Sequence, residues 1–290
     1  MSSEIRTVAV LGAGTMGAGI AHVCAAAGAQ VRLNDARQEF LDRGIARVAE
    51  FLAAGVKKGK TSPEERERIL AAIRPELDVA AAVRGADLVI EAVPETLDLK
   101  RALFAKVAAA ASAECLLASN TSSLSLAEIF AAVPGPERCL GLHFFNPPPL
   151  MPLLEVVRTA RTAPAVVERA AAYAKTLGKE PIVVQDSPGF ASSRLGVALG
   201  LEAIRMVQAG VASPEDIDKA MQLGYGHPMG PLRLTDLVGL DVRMAIADYL
   251  REKLDSPVFE VPQLMRQMVA EGRLGKKTGH GFYTWDPKRL

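Results

Sequence analysis

Between Thr7 and Gln185 short apolar runs alternate with longer amphipathic stretches, and this alternation constrains the fold more than any other feature of the chain. "TVAVL", "QVRLND", "DLVIEAV", "CLLAS", "CLGLHFF", "LLEVV" and "PIVVQD" are rich in Val, Ile and Leu and bounded by residues that favour turns, as buried strands are. The stretches "TMGAGIAHVCAAAG", 37–55, 97–111, "SLAEIFAAV" and 165–177 carry helical spacing between them. Strands separated by helices predict an α/β protein with a mostly parallel, doubly wound sheet, whose ligands sit at the carboxyl ends of the strands. One interruption is expected. Around "KKGKTSPEERERIL" two helices meet at a basic tip, with Ser62 as N-cap and Pro63 in the first helical position, forming a helical arm.

After "QDSPGF" the character changes. Helices are expected near 190–209, 214–223, 231–253 and 260–271, and strand character returns only in the tail "GFYTW". Pro188 and Gly189 break the pattern, so the expected division is residues 1–186 for the sheet domain and 187–290 for an all-α domain. A helical domain of this size struggles to bury its own apolar faces, and a homodimer formed through it is expected.

Composition narrows the function. The 34 basic and 33 acidic residues leave a formal net charge of +1, without the clustered basic footprint of a nucleic-acid binder. Cys24, Cys115 and Cys139 are widely spaced in apolar surroundings and suggest reduced core thiols, and the scattered histidines suggest no metal site. No apolar run is long enough to span a membrane, and "MSSEIRTVAV" enters a strand too soon for a signal peptide. The expected protein is soluble and cytoplasmic.

Three loops at the predicted carboxyl edge carry chemistry. "GAGTMG" places Gly12, Gly14 and Gly17 between a strand and a helix, with Asp35 ending the next strand roughly 20 residues on. Gly12 permits the tight turn, Gly14 lets a pyrophosphate approach the backbone, and Gly17 brings helix and strand close. The helix start, with Thr15 and Met16, offers N–H groups to phosphate. Asp35 suits a ribose diol and repels a 2′-phosphate, which favours NAD over NADP, although nearby Arg37 weakens that preference. "EAVPETLDLK" brings Glu95 and Lys100 to the same edge, and "SNTSSL" brings Asn120, Thr121, Ser122 and Ser123. For the latter loop, helix capping and ligand binding are equally good readings. His143 ends the strand "CLGLHFF", and the prolines after it forbid a helix. A chain reversal would return "LLEVV" alongside and could bring Glu155 to the imidazole, fixing its tautomer and raising basicity at the other nitrogen.

Taken together, "GAGTMGAGIA", "EAVPE", "SNTSSL", "GLHFFNPPPLMPLLEV", "DSPGF", "GHPMGPLRLTDLVGLD" and "GKKTGHGFY" resemble the L-3-hydroxyacyl-CoA dehydrogenases essentially end to end, most of all the stand-alone bacterial 3-hydroxybutyryl-CoA type. The resemblance implies a Rossmann-like domain, NAD as cofactor and an acyl-CoA substrate. It implies His143 as general base with Glu155 as partner, and Ser122 hydrogen-bonded to substrate near the nicotinamide. Asn146 resembles a residue lining that site. Glu95, Lys100, Asn120 and Lys277 match cofactor-side positions, and Lys57 and Lys58 fall where the family meets CoA phosphates. The family usually carries an asparagine where this chain has Ser193, which keeps a donor and an acceptor on a shorter side chain. A catalytically weak NAD-binding structural relative, or a dehydrogenase of another hydroxy acid, remains an alternative at this point.

Overall fold

The computed structural model describes residues 4–286, which divide into two compact units between Ser187 and Pro188. In the first unit the strands are β1 (Thr7–Leu11), β2 (Gln30–Asn34), β3 (Ile73–Glu76), β4 (Leu88–Glu91), β5 (Leu116–Ser119), β6 (Cys139–Phe144), β7 (Leu153–Arg158) and β8 (Glu180–Gln185). The helices are α1 (Thr15–Ala26), α2 (Gln38–Lys57), α3 (Pro63–Ala71), α4 (Val79–Val83), α5 (Leu97–Ala110), α6 (Leu126–Ile129) and α7 (Pro164–Thr176). One sheet runs in the order β3-β2-β1-β4-β5-β6-β7-β8. Every pairing is parallel except β6 with β7. The chain order reverses direction across the sheet between β1 and β4, which opens a ligand crevice at the carboxyl ends of these strands. The central strands are mostly apolar because helices cover both faces. Val8, Val10, Leu88, Ile90 and Leu140 are fully buried.

The α/β reading therefore holds, with one omission. The stretch after the arm contains a short strand, β3, and the single-turn-and-a-half helix α4, neither of which the sequence announced. β3 has the sequence IRPE and only one buried residue, so it carries no hydrophobic period, and pairing with β2 defines it as an edge strand. The arm starts as expected: the Ser62 hydroxyl accepts from Glu65 N–H at 3.1 Å, and Pro63 follows.

The second unit is helical: α8 (Ser192–Gln208), α9 (Pro214–Tyr225), α10 (Pro231–Val238), α11 (Leu240–Leu254) and α12 (Gln263–Ala270). Val197, Leu201, Ile204, Leu232, Leu250 and Met265 form its own core. Two expectations are corrected here. The helix predicted over 231–253 is two helices, broken at Gly239, whose φ of 106° no helix contains. The tail "GFYTW" forms no strand among the described residues, only isolated bridges from His280 to Gly275 and Thr284. Three of its donors are taken by one buried carboxylate instead. Asp236 accepts from Phe282 N–H, Tyr283 N–H and Trp285 Nε1–H, each at 2.9 Å.

Candidate active site

The glycine loop is shaped by close backbone packing. A Cβ at Gly12 would lie 2.6 Å from the Ala92 carbonyl oxygen, and one at Gly17 would lie 1.7 Å from the Gly12 oxygen. A Cβ at Gly14 would meet nothing within 4 Å. Gly12 and Gly17 thus set the turn between β1 and α1, while Gly14 leaves an open approach. Gly14 is also the N-cap of α1 and carries no side-chain cap, and the first helical bond runs from Ala18 N–H to Gly14 at 2.9 Å. The N–H groups of Thr15, Met16 and Gly17 consequently have no acceptor within the helix, which suits an anion. Asp35, just past β2, accepts from Ala13 N–H and Ala36 N–H, each at 2.7 Å. A bare helix start, an open glycine and a carboxylate at the end of the second strand fit a dinucleotide. Arg37 lies 4.1 Å over the Phe40 ring and pairs with Glu39 at 3.2 Å.

Further along the same edge, the β6–β7 register sets His143 directly across from Glu155. Antiparallel partners present both side chains on one face, and the His143 Nδ1 to Glu155 Oε2 distance is 2.6 Å. Glu155 is wholly buried and His143 is 5% exposed. A carboxylate only accepts, so Nδ1 carries the proton and Nε2 presents its lone pair. That nitrogen lies 3.1 Å from the Ser122 hydroxyl, and the Phe145 ring packs at 4.6 Å against the imidazole.

Ser122 is held by a second carboxylate. Glu95 Oε1 accepts from the Thr121 hydroxyl at 2.5 Å, from Ser122 N–H at 3.0 Å, and from the Ser123 N–H and hydroxyl at 3.3 Å. Burial would raise the Glu95 carboxyl, but the Lys100 ammonium and the bonds from Thr121 and Ser122 outweigh it and hold the group below its ordinary range. Lys100 is 1% exposed and bridges Glu95 Oε2 at 3.2 Å to Glu91 Oε1 at 2.6 Å. Glu91, the last residue of β4, also accepts from Val93 N–H at 2.7 Å and from the Ser119 hydroxyl at 2.6 Å. A buried ion pair at the ends of β4 and β5 thereby fixes the two loops that carry Glu95 and Ser122. Asp186, after β8, clamps the far side of the serine loop through Leu126 N–H and Ala127 N–H.

The remaining expected residues fall in several places. Asn120 Oδ1 accepts from Phe144 N–H at 2.8 Å, which ties the β5 loop to the His143 strand and leaves the Asn120 amide as a donor. Asn146 is exposed and lines a small apolar pocket with Thr15, His22, Arg47, Phe51 and Pro148. Lys57 and Lys58 are exposed at the end of α2. In the second unit Ser193 stands in the first turn of α8, half-buried, and Lys277 donates to Asp241 Oδ2 at 2.6 Å. Sequence reasoning missed Glu91 and Ser119. The available signal was an acid closing the otherwise apolar run "LVIE", a place where a charge is rare unless paired.

A sheet crevice with a bare glycine loop, a carboxylate-ended second strand and an imidazole–carboxylate pair on one edge defines a dinucleotide-dependent oxidoreductase. Family models agree at finer grain: the 3-hydroxyacyl-CoA dehydrogenase NAD binding domain matches residues 7–187, and the 3-hydroxyacyl-CoA dehydrogenase C-terminal domain matches residues 189–285. The chain belongs to the 3-hydroxyacyl-CoA dehydrogenase family. It is 44% identical to a 3-hydroxybutyryl-CoA dehydrogenase of Mycobacterium tuberculosis, over 98% of this chain and 100% of that one. It is also 44% identical to the 3-hydroxyadipyl-CoA dehydrogenase of Escherichia coli K12, over 100% of this chain and 61% of that one. The crystal structure of (S)-3-hydroxybutyryl-CoA dehydrogenase PaaH1 from Ralstonia eutropha superposes with a TM-score of 0.93 at 39% identity, covering 98% of this chain and 100% of that one. The protein is an NAD-dependent oxidoreductase of this family.

Proposed function

We propose that the protein interconverts short-chain (S)-3-hydroxyacyl-CoA and 3-oxoacyl-CoA with His143 as general acid–base. The observation carrying this reading is the line Ser122 Oγ, His143 Nε2, His143 Nδ1, Glu155 Oε2, with separations of 3.1 Å and 2.6 Å at its two hydrogen bonds. NAD, when bound, supplies the hydride acceptor. In oxidation His143 Nε2 takes the proton of the C3 hydroxyl, and Glu155 stabilises the imidazolium that results. Ser122, oriented by Glu95, donates to the same oxygen. In reduction the imidazolium returns its proton to the ketone oxygen. Gly14, Thr15, Met16 and Asp35 hold the dinucleotide, with Glu95, Lys100, Asn120 and Lys277 at further cofactor-side positions. Asn146 lines the substrate site, Lys57 and Lys58 meet the phosphates of CoA, and Ser193 meets a substrate oxygen. The working form is a cytoplasmic homodimer joined through the helical unit.

The test is NADH consumption with acetoacetyl-CoA. His143→Ala should lower turnover by about 10²- to 10⁴-fold, the range of a general acid–base group, while NADH binding followed by fluorescence is retained. Near-normal turnover in that variant would remove His143 from the chemistry.

A further inference from the structure

The second unit buries a cation that, among the described residues, no acidic side chain neutralises. Arg243 projects from α11 and is 7% exposed. Among the described residues its one hydrogen bond is from Nη1 to the Gly196 carbonyl oxygen at 2.7 Å. Burial alone pushes the guanidinium down to about 10, with no acid nearby to oppose it. A guanidinium offers five donors in a planar fork matched to a carboxylate. A charge buried against a single backbone acceptor is a costly arrangement unless a counter-charge joins it.

α8 is built to admit this side chain. A Cβ at Gly200 would lie 2.5 Å from Arg243 Nη1 and 3.1 Å from the Thr235 hydroxyl, so glycine alone leaves the space. A Cβ at Gly196 would come no closer than 4.0 Å to Nη2, so that edge of the fork has room beside it. The Thr235 hydroxyl is committed to the Pro231 carbonyl at 2.8 Å and does not serve the arginine. Ser193, Gly196 and Gly200 share one face of α8, because residues three and four apart lie above one another on a helix.

We propose that Arg243 is a specificity residue that binds a carboxylate at the far end of the acyl chain, so that short dicarboxylic 3-hydroxyacyl-CoA thioesters are the preferred substrates. The inference rests on the dehydrogenase reading above, in which Ser193 meets a substrate oxygen. From Ser193 to Gly196 and Gly200 the helix advances about 5 to 10 Å. An acyl chain of about six carbons, held near C3 at Ser193, delivers its terminal group to that stretch of helix. The carboxylate completes the bidentate pair that the folded chain leaves open, and a methyl-ended chain would leave it unmade.

The experiment compares (S)-3-hydroxyadipyl-CoA with (S)-3-hydroxyhexanoyl-CoA, which differ only in a terminal carboxylate or methyl, with 3-hydroxybutyryl-CoA as reference. In the unmodified protein kcat/KM for the carboxyl-ended substrate should exceed that for the methyl-ended one by about 10- to 100-fold, the range for hydrogen bonds to a charged group. Arg243→Met should bring the ratio close to one, and Arg243→Lys should restore part of it. A ratio at or below one in the unmodified protein overturns the inference, whether or not the variants fold. So does a ratio unchanged in Arg243→Met, which would mark a packing residue. Absence of activity with all three substrates would instead overturn the dehydrogenase reading.

Discussion

At the scale of single residues, the site depends on which carboxylates are shielded and what each one holds. Glu155 touches the imidazole, Glu95 holds the loop of Ser122, and Glu91 holds Lys100, which in turn holds Glu95. The outermost of these was the hardest to see in the sequence. His143 and Glu155 are legible because prolines force a reversal between them, whereas the polar loop around Ser122 reads equally well as a helix cap and was singled out by the family resemblance. Glu91 is a single letter at the end of an apolar run, and its meaning comes from Lys100, nine residues on and one helical turn into α5, folding back beneath it. Glu91→Gln keeps an acceptor for Ser119 but removes the charge facing Lys100. Loss of one partner from a buried pair costs about 3–5 kcal/mol, and chemical denaturation should show a loss of that order. A change below about 1 kcal/mol, the worth of an exposed pair, would mean that the pair is solvated.

At the scale of elements, the contact between α1 and α2 joins the glycine loop to the arm. A Cβ at Gly44 of α2 would lie 2.8 Å from the Ala13 carbonyl oxygen, so the base of the arm rests on the glycine loop. Higher up, His22 of α1 meets Phe51 of α2 edge to face, with centroids 5.3 Å apart. Burial, assisted by the Lys179 charge and opposed by Glu65, pulls the His22 ring from 6.5 down to about 4. The unfolded chain therefore binds a proton before the folded one does. The stabilisation from the neutral ring is complete above pH 6.5 and is lost as pH falls toward 4, amounting to about 3 kcal/mol at the acid end. His22→Leu should flatten the acid limb of a stability profile measured between these values, and an unaltered limb would show that the ring titrates freely. Helical periodicity made both helices legible in the sequence. It could not show β3, which owes its existence to β2, nor the fate of the tail, which is decided by Asp236 some 46 residues earlier in the chain.

At the scale of the whole molecule, two units with separate cores share one chain. The helical unit leaves Val211, Leu223 and Tyr225 exposed at 62%, 84% and 79%, more apolar surface on one hairpin of helices than a solvated face needs. With a chain of 30.8 kDa, sedimentation should return about twice that mass, and Leu223→Glu should shift the protein toward the monomer. A monomer at all concentrations in the unmodified protein would refute the assembly. The alternation of strands and helices was open to sequence reasoning, because it rests on local pattern. The one antiparallel step in the sheet, between β6 and β7, was foreseeable only as a reversal. That step has a consequence for how the protein tolerates change. His143 and Glu155 are opposed by ladder register, and the ladder is anchored by β5 on one side and β8 on the other. Residues added to the surface of the connecting loop leave the pair facing each other, whereas one residue added inside β7 ahead of Glu155 turns the carboxylate to the opposite face. Parity within a strand, rather than distance along the chain, is what the dyad inherits and what lineages of this enzyme must keep.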